Sequence, residues 1–165
     1  MAPKLRFTEA TPEQAALHAR MIRRAFRPQA ALLGVNKVDH PYQAAFHTAA
    51  LTRRRMGEGA HVVIAWLGEQ PVGTVTYVRG RHHPDDGWIE RLAVLPEFRG
   101  RRYGEALMAH AEQRLRKLGA QTLRLAIVKP FSKLQAFYEG QGYAAAETRQ
   151  FPGVPFAVLF MEKLA

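Results

Sequence analysis

The chain has 165 residues, no cysteine, and 24 lysines and arginines against 14 acids, a formal charge of +10. That length suits a single domain spanning residues 1–165 with a real hydrophobic core, and the missing cysteine excludes a disulfide framework, a thiolate metal site and a cysteine nucleophile. The charge points to an anionic partner, with its weight near the N-terminus, where residues 1–60 carry ten basic and four acidic groups.

The opening MAPKLRFTEA lacks the apolar core of a secretory signal, and no run nears the roughly 18 apolar residues of a membrane span, so a soluble cytoplasmic protein is expected. Leu5 to Thr8 suits a short strand. Thr11-Pro12-Glu13-Gln14 has capping-box spacing with proline in the first helical position, which predicts a helix from Pro12 to about Phe26. Pro28, Gly34 and Pro41 break the next segment into a loop, and a second helix is expected from Tyr42 to Met56. Val62 to Leu67, a Gly68-Glu69-Gln70-Pro71 turn and Val72 to Arg79 read as an antiparallel hairpin, extended by GRHHPDDG into a third strand, Trp88 to Val94.

Beyond that strand, Tyr103, Leu107, Ala111, Leu115 and Leu118 keep helical spacing up to Gly119. Thr122 to Val128 alternates as a strand, Ser132 is placed to cap a helix through Glu139, and Tyr143 to Arg149 and Phe156 to Lys163 form a final strand pair. The order predicts an α/β (α+β) architecture, a mixed sheet with helices on its faces.

The stretch VLPEFRGRRYGEAL, Val94 to Leu107, joins a strand end to a helix start through a basic, glycine-containing turn. The first turn of a helix has backbone N–H groups without intrahelical partners, and its dipole favours an anion there. Gly100 and Gly104 allow close approach, while Arg99, Arg101 and Arg102 add full charges. Phosphate or pyrophosphate binding follows. Neither GxxxxGK[ST] nor a GxGxxG after a strand is present, which disfavours a nucleotide triphosphatase or a dinucleotide dehydrogenase.

The run Leu92 to Gly104 resembles the acetyl-coenzyme A motif of the GNAT (Gcn5-related N-acetyltransferase) superfamily, whose loop reads [Q/R]xxGx[G/A]. Ala136-Phe137-Tyr138-Glu139-Gly140-Gln141-Gly142-Tyr143 resembles that family's AxxxYExxGF segment. The resemblance implies a mostly antiparallel sheet of six to seven strands flanked by about four helices and splayed between the fourth and fifth strands. It implies acetyl-CoA as co-substrate, with backbone groups along Leu92, Ala93 and Val94 pairing with the pantetheine arm, and Arg99, Gly100, Arg101, Arg102, Tyr103, Gly104 and Glu105 around the pyrophosphate. The Val94 amide would face the thioester carbonyl and stabilise the oxyanion of a tetrahedral intermediate. Two positions depart from the family. Arg102 stands where glycine is usual, and Phe131 or Ser132 stands where many members have an asparagine that contacts pantetheine.

An amine attacks a thioester only when neutral, which costs a lysine-like amine on the order of 4 to 5 kcal/mol at neutral pH and an α-amine about 1. By analogy with the family, Glu90 or a water it binds takes the proton, sharing a pleat face with Leu92 if the strand is regular; the alternative is a strand glutamate paired with solvent or a nearby arginine. Tyr138 is the implied general acid toward the coenzyme A thiolate. That transfer is uphill by roughly 2 kcal/mol unless nearby arginines lower the tyrosine pKa. His82, His83, Asp85 and Asp86 fit a turn better than a metal site, and no metal is expected. Of Arg53, Arg54 and Arg55, one or two can face an acceptor and recognise its carboxylate or phosphate.

The leading reading is therefore N-acetyl transfer, by direct attack, to a primary amine of a small molecule; recognition of an anionic group on that acceptor is a further hypothesis, set against a solvated arginine surface. A peptide or protein acceptor is the enzymatic alternative, and a coenzyme A sensor or a nucleic-acid-binding module the non-enzymatic ones. The nucleic-acid reading lacks a helix-turn-helix, zinc-finger or RNP signature and any basic-aromatic stacking pattern. No membrane partner is expected, and the C-terminal FPGVPFAVLFMEKL offers an apolar interface for a homodimer.

Overall fold

The run Val72–Val78 is buried along its whole length. A strand reaches that state when both faces of its sheet are covered. The computed structural model describes residues 3–165, with strands β1 (Leu5–Glu9), β2 (His61–Leu67), β3 (Gln70–Arg79), β4 (Asp86–Val94), β5 (Thr122–Val128), β6 (Ala144–Gln150) and β7 (Ala157–Leu164). Its helices are α1 (Ala15–Leu33), α2 (Ala49–Gly57), α3 (Tyr103–Lys117) and α4 (Ser132–Gly140). The strands form one sheet in the order β1-β2-β3-β4-β5-β7-β6. β4 and β5 run parallel and the other neighbours antiparallel.

The expected mixed sheet and its splay are present. β4 and β5 pair only at Asp86↔Thr122, Gly87↔Leu123 and Trp88↔Arg124. Arg124 closes that end, with Nε 2.7 Å from Asp86 Oδ2 and Nη1 bonded to Glu162 on β7. Past Trp88 the two strands separate. The cause lies in β4, where Thr76 faces Glu90 but Thr74 faces Ala93, so Arg91 and Leu92 together stand opposite Val75. Two residues against one is a β-bulge, which bends the bulged strand and increases its twist. Arg91 has φ 51° there. The regular strand assumed for Glu90 and Leu92 is therefore corrected, since the bulge breaks the alternation between them.

On the sheet, α3 buries Leu107, Met108, Ala111 and Leu115 completely. It comes close because Gly73 has no side chain; a Cβ there would lie 2.9 Å from both Ala93 O and Leu107 Cδ1. This contact sets the height of the α3 N-terminus beside the end of β4. Leu118, the last member of the expected stripe, falls outside the helix and is partly exposed.

Four helix boundaries differ from the sequence reading. A 3-10 turn, Pro12–Gln14, precedes α1, with the Thr11 amide donating to Gln14 Oε1 at 3.0 Å. α1 then continues through Pro28 to Leu33 instead of stopping at Phe26. Proline removes one donor, but the turn beyond it is held by a small cluster of Ala30, Val35, Ala45 and Phe156, against which Phe26, Leu33 and Val128 pack. The second helix shortens to α2 because Thr48 caps it, accepting from the Leu51 amide at 3.1 Å. In α4 it is Phe131, not Ser132, that occupies the cap position.

Candidate active site

The gap between β4 and β5 is a cleft of about 170 Å³ lined by Ile89–Leu92 on one strand and Leu125–Val128 on the other, with Phe26, Leu134 and Tyr138 above it. Backbone polarity along β4 follows from the ladder. The Leu95 amide donates to Val72 O at 2.9 Å, so Leu95 and Val72 form a hydrogen-bonded pair and the alternation turns the N–H and C=O of Val94 away from β3. Consistent with this, Val94 O accepts from Arg99 Nε at 3.1 Å. Arg91 and Leu92 have no residue-for-residue partner on β3.

Where β4 ends, Val94, Phe98, Arg99, Gly100, Arg102, Tyr103, Gly104, Glu105 and Phe137 line a second hollow of about 260 Å³. The amides of Tyr103, Gly104 and Glu105 open the helix and have no intrahelical acceptor, and no side chain caps them. Gly100 at φ 79° shapes the turn, with open space where a Cβ would be. This is a fit for a diphosphate. Arg99 contributes charge while its guanidinium ties the loop to α1 through Ala25 O at 3.0 Å. Arg101 turns over the Phe98 ring, 5.6 Å from its centroid. Arg102, at the usual glycine position, keeps a glycine-like conformation of φ 63°, ψ 21°.

A third cavity, about 470 Å³, lies beside the cleft and is walled by Tyr42, His47, Thr52, Arg54, Arg55, Arg81, Trp88 and Phe160, among others. It shares Ile89, Glu90, Arg91 and Ala126 with the β4–β5 cleft. The two spaces thus meet at the bulge. Of the arginine triplet, Arg54 and Arg55 line this cavity and Arg53 does not. Arg55 Nη2 contacts both oxygens of Glu90, at 3.1 and 2.9 Å, and Arg81 bonds Glu90 Oε1. Glu90 is therefore a paired strand glutamate at the rim of both spaces. His82 packs edge-on against Trp88, His83 accepts from the Asp85 amide at 3.2 Å, and Asp86 is held by Arg124. Among the described residues no group of three His, Cys, Asp or Glu side chains is arranged to hold a metal ion.

Tyr138 lines the cleft and is 7 % exposed. Burial pushes its phenol pKa up, so arginines do not lower it here; the ring packs against Phe137 and Tyr143. Nothing in the sequence reading pointed to His18, His47 and Thr52. These buried side chains from α1, the segment before α2 and α2 itself meet with His18 Nδ1 and His47 Nε2 each 2.8 Å from Thr52 Oγ1. Burial first, and Arg91 second, lower His18 to about 4 and His47 to about 3. The available signal was His18 on the apolar face of α1 made by Ala15, Ala19 and Ile22.

With this geometry in place, comparison with known proteins is decisive for the family. Residues 20–143 match the acetyltransferase (GNAT) family. The chain belongs to that family. No curated protein matches it in sequence. Among solved structures, this GNAT chain is similar to an acetyltransferase from Thermus thermophilus, with 19% identity, complete coverage of both chains and a TM-score of 0.75. It is also similar to the ribosomal-protein-S18-alanine N-acetyltransferase from Escherichia coli, with 16% identity over 98% of this chain and 94% of that one and a TM-score of 0.76. The PaiA N-acetyltransferase from Thermoplasma acidophilum in complex with coenzyme A has 16% identity over 98% and 99% of the chains and a TM-score of 0.73. At these identities the structures share the fold. As a GNAT acetyltransferase the protein is an acyl-CoA-dependent N-acetyltransferase, and among the described residues no helix is long and apolar enough to cross a membrane.

Two stability experiments follow. A left-handed conformation costs a residue with a Cβ roughly 1 to 2 kcal/mol, so Arg102→Gly should be more stable than Arg102→Ala by about 1 kcal/mol in urea titrations; equal midpoints would remove the strain. For the histidines, the unfolded chain takes up protons below about 6.5 that the buried rings refuse until about 4 and 3. Stability therefore rises with pH across that window and falls by about 1 kcal/mol per pH unit for each ring on acidification. Denaturation midpoints at pH 7 and pH 5 check this, and His18→Gln should flatten the slope.

Proposed function

We propose that the protein transfers the acetyl group of acetyl-CoA to the primary amine of a small molecule bearing a carboxylate or phosphate. The observation that carries this reading is the junction of the β4–β5 cleft with the 470 Å³ cavity at Ile89, Glu90, Arg91 and Ala126. A donor in the cleft and an acceptor in the cavity meet there. The cavity wall has four arginines, Arg54, Arg55, Arg81 and Arg91, against the single carboxylate of Glu90. That excess favours an anionic acceptor over a polyamine.

Acetyl-CoA, when bound, supplies the electrophilic thioester carbon. Backbone groups of Leu92 and Val94 orient the pantetheine arm, and the amides of Tyr103, Gly104 and Glu105 with Arg102 hold the diphosphate. The Val94 N–H, turned away from β3, donates where negative charge develops on the carbonyl oxygen. Phe131 and Ser132 supply no asparagine amide, so the arm relies on the strand backbone at that end.

Tyr138 returns a proton to the departing sulfur. Its raised pKa keeps the phenol protonated at neutral pH, and the same burial disfavours a thiolate left in the cleft, so desolvation shifts both partners in the same direction. Glu90 is the carboxylate at this junction. Two guanidinium nitrogens make three contacts with it, Arg55 Nη2 with both oxygens and Arg81 Nη1 with Oε1. We assign it the fixing of Arg55 and Arg81, with proton removal left to other groups.

The reading is tested by coenzyme A release from acetyl-CoA against amino acids, amino-sugar phosphates, polyamines and N-terminal peptides. Small anionic amines should give kcat/KM about tenfold or more above polyamines, the worth of one modest ion pair. Equal turnover of anionic and cationic amines would remove the charge argument, and a preference for peptides would move the acceptor to a protein. For the acid, Tyr138→Phe should lower kcat about 100-fold with little change in acetyl-CoA affinity by calorimetry; an unchanged kcat would remove Tyr138 from the reaction.

A further inference from the structure

The four arginines on the wall of the 470 Å³ cavity are not equivalent. Arg55 and Arg81 are taken up by Glu90, and Arg55 pairs with Glu58 as well. Arg54 stands 3.7 Å from Glu58 on a side chain that is 62 % exposed. Arg91 alone of the four has no carboxylate at ion-pair distance among the described residues. Its neighbour in sequence, Glu90, is turned to Arg55 and Arg81 instead. The Arg91 side chain is nonetheless half-buried, and burial lowers its pKa. A cation withdrawn from water without a counter-charge is costly until an anion joins it.

The bulge that gives Arg91 its φ of 51° also re-aims its side chain. Arg91 is the one cation among the four residues common to the cavity and the β4–β5 cleft. A guanidinium has five N–H donors, and those that face outward form two edges, Nε with Nη2 and Nη1 with Nη2. The Tyr42 carbonyl accepts one N–H of Nη2 at 3.0 Å. Nη2 has a hydrogen on each edge, so whichever one Tyr42 accepts, the other edge keeps both of its donors. No other group among the described residues accepts from Arg91, and none of its nitrogens is a partnerless atom sealed from solvent. The free edge is open to a ligand.

We propose that Arg91 is the receptor for the carboxylate of an α-amino acid acceptor, an inference that rests on the acetyl-transfer reading above. A two-donor guanidinium edge matches the two oxygens of a carboxylate. The charge count selects the same group. One unengaged guanidinium balances one negative charge, whereas a phosphate monoester carries about 1.5 to 2 and the other three arginines already face acids. Position sets the spacing between amine and anion. The amine must enter the cleft at Ile89, Glu90, Arg91 and Ala126, so a carboxylate on Arg91 is held beside it, as in an α-amino acid, where a single carbon joins the two groups. The side chain of the acceptor then extends into the rest of the cavity, whose wall includes Trp88 and Phe160. An acceptor with its carboxylate at the far end of a chain would carry it away from Arg91.

Coenzyme A release tests this with two pairs of substrates: the α-amino acid of highest turnover against its carboxamide, and 2-aminobutyrate against 4-aminobutyrate. Removing the carboxylate makes the amine less basic and leaves more of it neutral, so reactivity alone favours the carboxamide. The wild-type enzyme should instead prefer the acid at least about tenfold in kcat/KM, and 2-aminobutyrate over 4-aminobutyrate by as much. These comparisons need no variant to fold. Arg91→Met should bring the ratio of acid to carboxamide down to about one or below. Damage to the fold would lower both substrates together and leave the ratio, so the ratio separates recognition from structure. Arg91→Lys, which keeps the charge without a two-donor edge, should keep only part of the preference. A wild-type enzyme that uses the carboxamide as well as the acid, an Arg91→Met enzyme with the wild-type ratio, or faster turnover of 4-aminobutyrate or an amino-sugar phosphate would each overturn the receptor while leaving acetyl transfer standing. Failure of every amine tested would instead remove the transferase reading, and the receptor with it.

Discussion

The bulge at Arg91 and Leu92 is the constraint on which the rest of this molecule depends. A parallel pair of regular strands would continue its ladder and leave no space between them. Here the extra residue in β4 bends the strand after three paired positions, and the cleft, the outward-turned polar groups of Val94 and the meeting point of the two cavities all follow from that bend. The bulge also puts an arginine at a positive φ, at a cost of about 1 to 2 kcal/mol. Contacts on both sides hold it there, with Arg91 Nη2 donating to Tyr42 O at 3.0 Å and the β3 ladder resuming at Ala93.

Charge is arranged around the same point. Glu90 draws Arg55 from α2 and Arg81 from the β3–β4 turn to one carboxylate, so a helix, a turn and a strand are fixed at one rim. Isolated surface pairs contribute little, but Arg55 and Glu90 are both under one-fifth exposed, where solvent screens less. A pair of this kind selects geometry more than it adds stability. It leaves the cavity with a surplus of positive charge.

Much of the fold was legible because its signals are local. The meander strands, α3 with its stop at Gly119, and β5 through β7 come from periodicity and turn residues read within a dozen positions. The phosphate turn was equally legible, since a strand end, glycines and a helix start are contiguous between Val94 and Glu105. The bulge was not, because it is a mismatch between two strands and neither β3 nor β4 alone carries a mark of it. Pro28 misled for a related reason: its local preference ends a helix, yet Ala30 and Leu33 gain tertiary contacts that outweigh one lost hydrogen bond. The histidine pair required knowing that residues 18, 47 and 52 converge, and the one local hint, a polar ring on the buried stripe of α1, is more often a satisfied core residue. Whether arginines would lower the Tyr138 pKa could not be read locally, because it depends on how the ring is buried between Phe137 and Tyr143.

The course of α1 has a mechanical meaning. Its first half, through Ile22 and Ala25, packs with Ala93 of β4, whereas Ala30 and Leu33 beyond Pro28 belong to the cluster that includes Val128 of β5 and Val158 of β7. Phe26 touches both clusters. A single helix thus spans the two diverging halves of the sheet like a strut. It lacks one rung near its middle, because Pro28 offers no N–H to the carbonyl of Arg24. The missing rung makes that point the weakest of the helix against bending, and it lies between the two clusters that hold the helix to either half of the sheet.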